Sequence, residues 1–176
     1  MITVVNIHTP PDKKVIRSLR CGDMVEITGF IYTARDAAHK RLINMLDKNE
    51  KLPVDVKGQI IYYAGPCPAK PGQVIGSVGP TTSGRMDAYA PRLIELGLAG
   101  MIGKGSRDKS VIDAMIKYGC VYFGATGGAG ALIAQCVKSR ETIAFDDLGT
   151  EAIQKLYVER FPVLTVIDSY GDSMYK

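Results

Sequence analysis

The chain has 176 residues, of which 46% are hydrophobic and 23% charged, a composition typical of a globular protein. This length suits one substantial core, so we expect a single domain over residues 1–176. The net charge of +4 is mild and the basic residues are scattered, which argues against nucleic acid as a partner and suits a small anionic substrate.

Neither export nor membrane insertion is indicated. The N-terminus lacks a basic start followed by an apolar run, and no stretch of about eighteen apolar residues occurs. The four cysteines are far apart and include no C-x-x-C pair, so neither a zinc site nor a self-contained iron–sulfur motif is signalled. We therefore expect a cytoplasmic protein with reduced thiols. These cysteines are Cys21, Cys67, Cys120 and Cys136.

The first elements alternate between strand and helix. Ile2–Ile7 predicts a short strand, and Pro10 to about Leu19 a brief helix. Met24–Tyr32 predicts a strand with a bulge at Gly29.

A second helix is predicted after that strand, with Thr33 as its cap and an apolar face of Leu42, Ile43 and Leu46. Arg35, Asp36 and His39 fall near its start, and Arg35 and His39 share one face at i, i+4 spacing. A lone histidine near a helix start is more often structural than catalytic.

The next stretch predicts a strand at Gln59–Ala64 and then a stiff loop rich in proline and glycine over residues 65–72. Cys67 lies in this loop. Its proline neighbours give no reason for a lowered thiol pKa, so a packed structural cysteine is favoured over a reactive one.

Gly79–Asp87 (GPTTSGRMD) is the most informative stretch. It follows an apolar run, Val74–Val78, that predicts a buried strand, and precedes a predicted helix at Ala88–Leu96. Free N–H groups at such a strand-to-helix turn favour an anion, and the hydroxyls and guanidinium of this stretch add further donors. These side chains are Thr81, Thr82, Ser83 and Arg85. The alternative is an ordinary helix start capped by Thr82 or Ser83, with Arg85 on the surface.

The second half of the chain predicts further alternating elements. Expected strands are Gly100–Gly103, Val121–Gly124, Thr142–Phe145 and Phe161–Ile167. Expected helices are one capped by Ser106 or Asp108 and closed by Gly119, then Leu132–Val137, and Glu151–Arg160 capped by Thr150.

Two glycine-rich turns interrupt this half. Lys104 lies between two glycines, which would let a ligand approach the backbone closely. The turn Ala125–Ala131 lacks the G-x-G-x-x-G spacing of a dinucleotide site, so close helix packing or a backbone wall beside a ligand is the preferred interpretation.

Four segments together resemble the C-terminal domain of class I, iron–sulfur-dependent fumarases and the related β subunit of L-tartrate dehydratase. They are Arg35–Arg41, Gly79–Asp87, Ile102–Gly105, and Phe145–Gly149 with Glu151–Ile153. The resemblance covers nearly the whole chain. It implies an α/β fold of the three-layer swivelling β/β/α type, with mixed sheets and flanking helices.

The resemblance also implies a division of labour. A [4Fe–4S] cluster would be held by three cysteines of a partner α subunit, in a heterodimer or an α2β2 assembly, while this chain would bind no metal and be inactive alone. The reaction would be reversible dehydration of a 2-hydroxy dicarboxylate, with the open iron acting as a Lewis acid on the departing hydroxyl.

Residue roles follow from the same resemblance. Arg35, Arg85 and Lys104 would bind carboxylates, Thr81 would be catalytic, and Thr82 would contact the substrate. Asp36 and His39 would orient Arg35 or shuttle a proton, although His39 and Cys67 could equally be structural. Fumarate hydratase is the first expectation, L-tartrate dehydratase the near alternative, and a non-catalytic anion-binding scaffold the alternative from another class.

Overall fold

The computed structural model describes residues 3–125 and 129–175, which form a mixed α/β arrangement. The strands are β1 (Val4–His8), β2 (Met24–Thr33), β3 (Ile60–Tyr62), β4 (Gly100–Gly103), β5 (Val121–Gly124), β6 (Val137–Ala144) and β7 (Ile153–Ile167). The helices are α1 (Lys13–Ser18), α2 (Asp36–Asp47), α3 (Ala90–Glu95), α4 (Lys109–Tyr118) and α5 (Gly130–Ala134), with 3₁₀ turns at Ser83–Met86 and Asp146–Glu151.

The sheet closes on itself through its longest strand. Strands β1 to β5 pair in parallel in chain order. Strand β7, 15 residues long, runs antiparallel to β2, β5 and β6. Because β7 reaches both β2 and β5, the strands β2, β3, β4, β5 and β7 form a closed circuit, with β1 and β6 outside it.

Two hydrophobic cores lie on opposite faces of the parallel strands. Successive residues of a strand point to opposite faces, so Ile60 and Tyr62 enter one core, whereas Ile61 and Tyr63 enter the other. The first core lies against β7. The second is covered by α2, α3 and α4 through apolar side chains, each of which contributes about 1.5–3 kcal/mol when fully buried. They include Leu42, Leu93, Val111 and Met115.

Several predicted elements are confirmed. The bulge in β2 is present as a register shift between Ile27 and Gly29. Gly29 has φ +125, and a side chain there would overlap the Thr9 hydroxyl, so glycine is required. Helix α4 follows Asp108 and ends at Gly119, which adopts the left-handed conformation with φ +80.

The predicted helix Glu151–Arg160 is wrong, because the chain forms strand β7 from Ile153. Ile153 and Leu156 have helical spacing, but Leu156 pairs with Ile31 of β2 on one edge and with Arg140 of β6 on the other. Hydrogen bonding on both edges of the strand outweighs the weak local preference for helix.

The predicted strand Val74–Val78 is also wrong, because this run joins no sheet. It is the returning arm of the proline-rich loop, in which Cys67 N–H donates to the Ser77 carbonyl at 2.8 Å. Its apolar residues are instead divided, with Ile75 and Val78 buried and Val74 exposed. An apolar run therefore indicated burial here without indicating strand pairing.

Other differences concern element ends. Thr33 is the last residue of β2 rather than a cap, and α2 begins after Arg35. Helix α5 is shorter than the predicted Leu132–Val137, because Val137 already belongs to β6. Residues 126–128 of the predicted Ala125–Ala131 turn lie outside the described residues.

The parallel strands bring the candidate residues to one edge. Strands β2, β3, β4 and β5 all point the same way, so the segments that follow them meet at their carboxyl ends. Arg35 follows β2 and Lys104 follows β4. In α/β sheets this edge is the usual place for a ligand.

Candidate functional site

The motif loop, residues 79–87, crosses the carboxyl ends of β3 and β4. Thr81 N–H donates to the Tyr63 carbonyl at 2.7 Å, and Ser83 N–H donates to the Lys104 carbonyl at 2.8 Å. Thr82 pairs in parallel with Lys104 as a single bridge. The loop is thus fixed by backbone bonds, with Thr81 half-buried and Thr82 exposed.

Arg85 of the motif loop forms an ion pair with Asp36, the first residue of α2, at 3.0 Å between Nη2 and Oδ2. The Arg85 side chain is 54% exposed, so this pair adds at most about 1 kcal/mol to stability. Its consequence is geometric, because it joins the motif loop to the segment that carries Arg35. The second oxygen of Asp36 is buried and has no hydrogen-bond partner among the described residues.

Arg35 lies against the backbone of the proline-rich loop. A side chain at Gly65 would approach Arg35 Cδ at 3.0 Å and Nη1 at 3.1 Å, so glycine makes room for the guanidinium. Arg35 Nε is buried and lacks a hydrogen-bond partner within the described part of the chain. The residue therefore has a buried N–H group whose hydrogen bond is not made within these residues.

His39 lies beneath Arg35 and is 1% exposed. Its Nδ1 is 2.8 Å from the Arg35 carbonyl, which can only accept, so Nδ1 carries the proton. Burial lowers the pKa of His39 from 6.5 to about 4, and the bond to Arg35 opposes this shift only in part. His39 is therefore neutral at pH 7 and packs edge-on against the Tyr63 ring at 5.4 Å.

The lysine loop, residues 104–108, follows β4. Lys104 is exposed at its start. A side chain at Gly103 would overlap the Ser83 hydroxyl and approach Tyr63 Cδ2 at 2.9 Å, so the motif loop can pack on β4 only because residue 103 is glycine. Gly105 has φ +88, which a side chain rarely adopts, and this turn directs the chain back towards α4.

A buried ion pair joins the motif loop to the lysine loop, and the sequence interpretation missed it. Arg107 Nε donates to Asp87 Oδ1 at 2.7 Å, and the two side chains are 0% and 4% exposed. Asp108 N–H donates to the other Asp87 oxygen at 2.8 Å. Removing one partner of such a pair typically costs about 3–5 kcal/mol, because the other charge stays buried.

Two tyrosines complete this buried network. Arg107 Nη2 donates to the Tyr63 hydroxyl at 3.2 Å, and its guanidinium lies 4.8 Å from the centre of the Tyr122 ring. The Tyr122 hydroxyl is 2.8 Å from both Ser83 Oγ and the Gly105 carbonyl. Since the carbonyl only accepts, Tyr122 donates to it and Ser83 donates to Tyr122.

The fourth resembling segment packs on α2. Glu151 accepts a hydrogen bond from Ala37 N–H at 3.3 Å, and Asp147 pairs with Arg41 at 2.8 Å. These contacts fix the start of α2, where Arg35 and Asp36 lie.

Cys67 is exposed, so the expectation of a packed cysteine is wrong. The backbone of the proline-rich loop bonds its own returning arm, from Cys67 N–H to the Ser77 carbonyl, and leaves the thiol exposed. Cys120 is buried, and desolvation raises its pKa to about 12. Within the described residues, no group of three His, Cys, Asp or Glu side chains could hold a metal ion.

Membrane-spanning helices are not found in residues 3–125 and 129–175, where each helix is too short or too polar to cross a bilayer.

The arrangement brings together groups of the type that hold anions in proteins. Segments from three strand ends present Arg35, Arg85 and Lys104 on one edge of the sheet, beside the hydroxyls of the motif loop. Arg85 and Lys104 are exposed, so the site is open. A surface cavity of about 330 Å³ lies elsewhere, beside Leu46 and Leu96, and has few of the features of an anion site.

Comparison with known proteins shows the family of the chain. Residues 2–176 match the family described as Fumarase C-terminus. A Methanocaldococcus jannaschii protein provisionally named L(+)-tartrate dehydratase subunit beta is 43% identical over 170 residues, which are 93% of this chain and 87% of that protein.

Two named fumarate hydratases are also similar. Fumarate hydratase 2 of Leishmania major is 39% identical over 97% of this chain and 31% of its own length. The aerobic class I fumarate hydratase of Escherichia coli K12 is 41% identical over 86% of this chain and 28% of its own length. The chain therefore spans about a third or less of these two relatives.

Proposed function

The chain belongs to the Fumarase C-terminus family, and from that premise we propose that it is the β subunit of an iron–sulfur-dependent hydro-lyase. The proposed reaction is the reversible conversion of L-malate to fumarate and water. One observation carries the proposal: Thr82 of the motif loop pairs with Lys104, and Arg85 pairs with Asp36 next to Arg35, so the segments that bear these groups lie together at the carboxyl edge of the sheet.

A dicarboxylate needs two clusters of donors, and this edge offers both planar guanidinium groups and an ammonium. Arg35 and Arg85 can each bind a carboxylate with two N–H groups, whereas Lys104 acts as a point charge. In the proposed site these cations also stabilise the negative charge that builds up on the carboxylate beside the reacting carbon. Thr82 supplies a further hydroxyl contact.

Thr81 is the proposed proton acceptor or relay for the carbon next to that carboxylate. A free hydroxyl is a very weak base, so this role depends on the neighbouring cations, which favour an anionic oxygen. Its backbone is held by the bond to the Tyr63 carbonyl. Asp36 is proposed to hold Arg85 in place, and neutral His39 to hold the Arg35 backbone.

The cluster is proposed to belong to a partner α subunit, in a heterodimer or an α2β2 assembly. The described residues of this chain do not fit it, because their cysteines form no ligand group and Cys120 is buried with a raised pKa. The named fumarate hydratases have about two thirds of their length outside the match, which supports a second protein component. The two cores on opposite faces of the sheet support the three-layer swivelling architecture in one domain.

L-Tartrate dehydratase is the second candidate, with oxaloacetate as the product. It is favoured by the Methanocaldococcus jannaschii relative, which is covered over 87% of its length. Both substrates present two carboxylates, so the same cations would serve either one. A non-catalytic anion-binding scaffold is the remaining alternative.

The test is anaerobic hydratase activity of the chain alone and mixed with its cluster-bearing partner, using fumarate, L-malate and L-tartrate separately. We expect activity only in the mixture. Thr81→Ala and Arg85→Ala should each lower kcat/KM by at least about 100-fold. Arg92→Ala is the matched control, because Arg92 is also exposed and paired with an α2 aspartate, Asp47, at the far end of that helix.

The outcomes separate the candidates. The preferred substrate distinguishes fumarate hydratase from tartrate dehydratase. No activity with a verified intact cluster would favour the scaffold, and activity of the chain alone would contradict the proposed role of the partner. Equal losses in Arg85→Ala and Arg92→Ala would remove Arg85 from the site.

A further inference from the structure

The Arg107–Asp87 ion pair is buried, although it joins the two loops that carry exposed cations. The Arg107 side chain is 0% exposed, while Arg85 and Lys104 on the same two loops are exposed. Each nitrogen of the Arg107 guanidinium has a neighbour: Asp87 at 2.7 Å from Nε, Met101 Sδ at 3.4 Å from Nη1, and the Tyr63 hydroxyl at 3.2 Å from Nη2. A contact at each of the three nitrogens holds the guanidinium in one orientation.

The pair connects to both loops that carry the proposed binding residues. Asp87 ends the motif loop, two residues after Arg85, and its carboxylate accepts from both the Arg107 side chain and the Asp108 backbone. Two residues before Arg85, Ser83 N–H donates to the Lys104 carbonyl at the start of the lysine loop. The loops are therefore fastened on both sides of Arg85.

A further contact leads from Arg107 to Arg35. Arg107 donates to Tyr63, the Tyr63 ring packs on His39, and His39 Nδ1 donates to the Arg35 carbonyl. All three proposed carboxylate-binding cations thus lie within a few contacts of one buried guanidinium.

We propose that Arg107 and Asp87 are a positioning pair that holds Arg85, Lys104 and Arg35 at the spacing a dicarboxylate requires. The inference rests on the proposed function. An apolar pair could fill the same volume, but it would fix neither the distance nor the angle between the loops, because apolar contacts have no direction. Small displacements of substrate-binding groups cost large factors in rate.

The test variant is Arg107→Met with Asp87→Leu, which leaves no unpaired buried charge. Arg92→Met with Asp47→Leu is the control, since it removes an Arg–Asp pair about 16 Å along α2 from Asp36. In the complex with the partner, the test variant should lower kcat/KM by at least about 30-fold, chiefly through a raised KM for the dicarboxylate. The control should stay within about twofold of the wild type.

A second measurement needs neither partner nor substrate. Amide hydrogen exchange of the full chain should become at least about tenfold faster in residues 81–87 and 104–108 of the test variant, with β2 and β7 unchanged. Arg107→Lys, which keeps a positive charge beside Asp87 but loses the planar fork, should give a smaller change in the same direction and serves if the double variant does not fold.

The outcomes are distinct. Unchanged activity per folded molecule, or exchange that rises equally across the whole chain, would overturn the positioning role and leave a purely structural pair. If the wild-type complex lacks hydratase activity, the proposed function fails, while the exchange measurement still tests whether the pair orders the two loops.

Discussion

At the level of single residues, the burial of His39 favours a structural role over proton transfer. Its pKa of about 4 keeps the ring neutral at pH 7. Its Nδ1–H donates a hydrogen bond to the Arg35 carbonyl. A neutral, buried imidazole is suited to holding backbone in place, and less suited to carrying a proton in and out of an open site. The same burial makes His39 a determinant of acid stability.

We expect the protein to lose stability as the pH falls from about 6.5 to about 4. In this window His39 becomes protonated in the unfolded state but stays neutral in the folded state, so the unfolded state binds more protons. The loss should approach about 3 kcal/mol and stop below the folded pKa, where both states are protonated. Urea unfolding of the wild type and His39→Gln at pH 7 and pH 4.5 measures it.

His8→Gln is the matched control, because His8 is exposed on β1. We expect the control to keep the wild-type pH dependence and His39→Gln to reduce it. Identical pH dependence in all three proteins would contradict the assignment of this effect to His39.

Among the elements, β4 shows how one glycine sets the position of the motif loop. Gly103 lies under Ser83, whose N–H bonds Lys104 and whose hydroxyl bonds Tyr122. The hydrogen bonds of the Ser83 backbone and of its hydroxyl therefore both require that Ser83 lie close to β4.

Gly103→Ala should destabilise the protein by about 1–3 kcal/mol, since the added methyl group would overlap Ser83. Gly79→Ala is the control within the same motif, because among the described residues its methyl group would meet only the Gly130 backbone, with Cα at 3.7 Å and N at 3.8 Å. Thermal unfolding measures both. Equal effects on the two variants would show that crowding at Gly103 is not the cause.

For the molecule as a whole, the closed circuit of strands decides where stability is concentrated. Strand β7 is paired on both edges over residues 154–158, and among the described residues no other strand joins β2 to β5 on that side. Opening the circuit at β7 would expose the core beneath it.

We therefore expect β7 and β2 amides to exchange only through global unfolding, and the edge strands β1 and β6 to exchange faster. Native-state hydrogen exchange at increasing denaturant measures this. Protection in β1 equal to that in β7 would contradict the special role of the circuit.

Part of the fold and site was predictable from sequence because it depends on local chemistry. The bulge at Gly29, the end of α4 at Gly119, and the strands Gly100–Gly103 and Val121–Gly124 each have a signal within a few residues. The family was likewise readable, since its motifs are contiguous, whereas the candidate site residues stay a prediction.

The rest was decided by contacts between residues far apart in sequence. Residues 153–160 carry helical spacing, but pairing with β2 and β6 makes them strand. Arg107 looks like any turn cation until Asp87, 20 residues away, meets it in the interior. His39 is a neutral side chain with a structural role because the fold buries it against Arg35 and Tyr63. Sequence by itself determined which chemical groups this protein has, whereas burial and long-range pairing determined their charge, their neighbours and the edge of the sheet at which their segments lie.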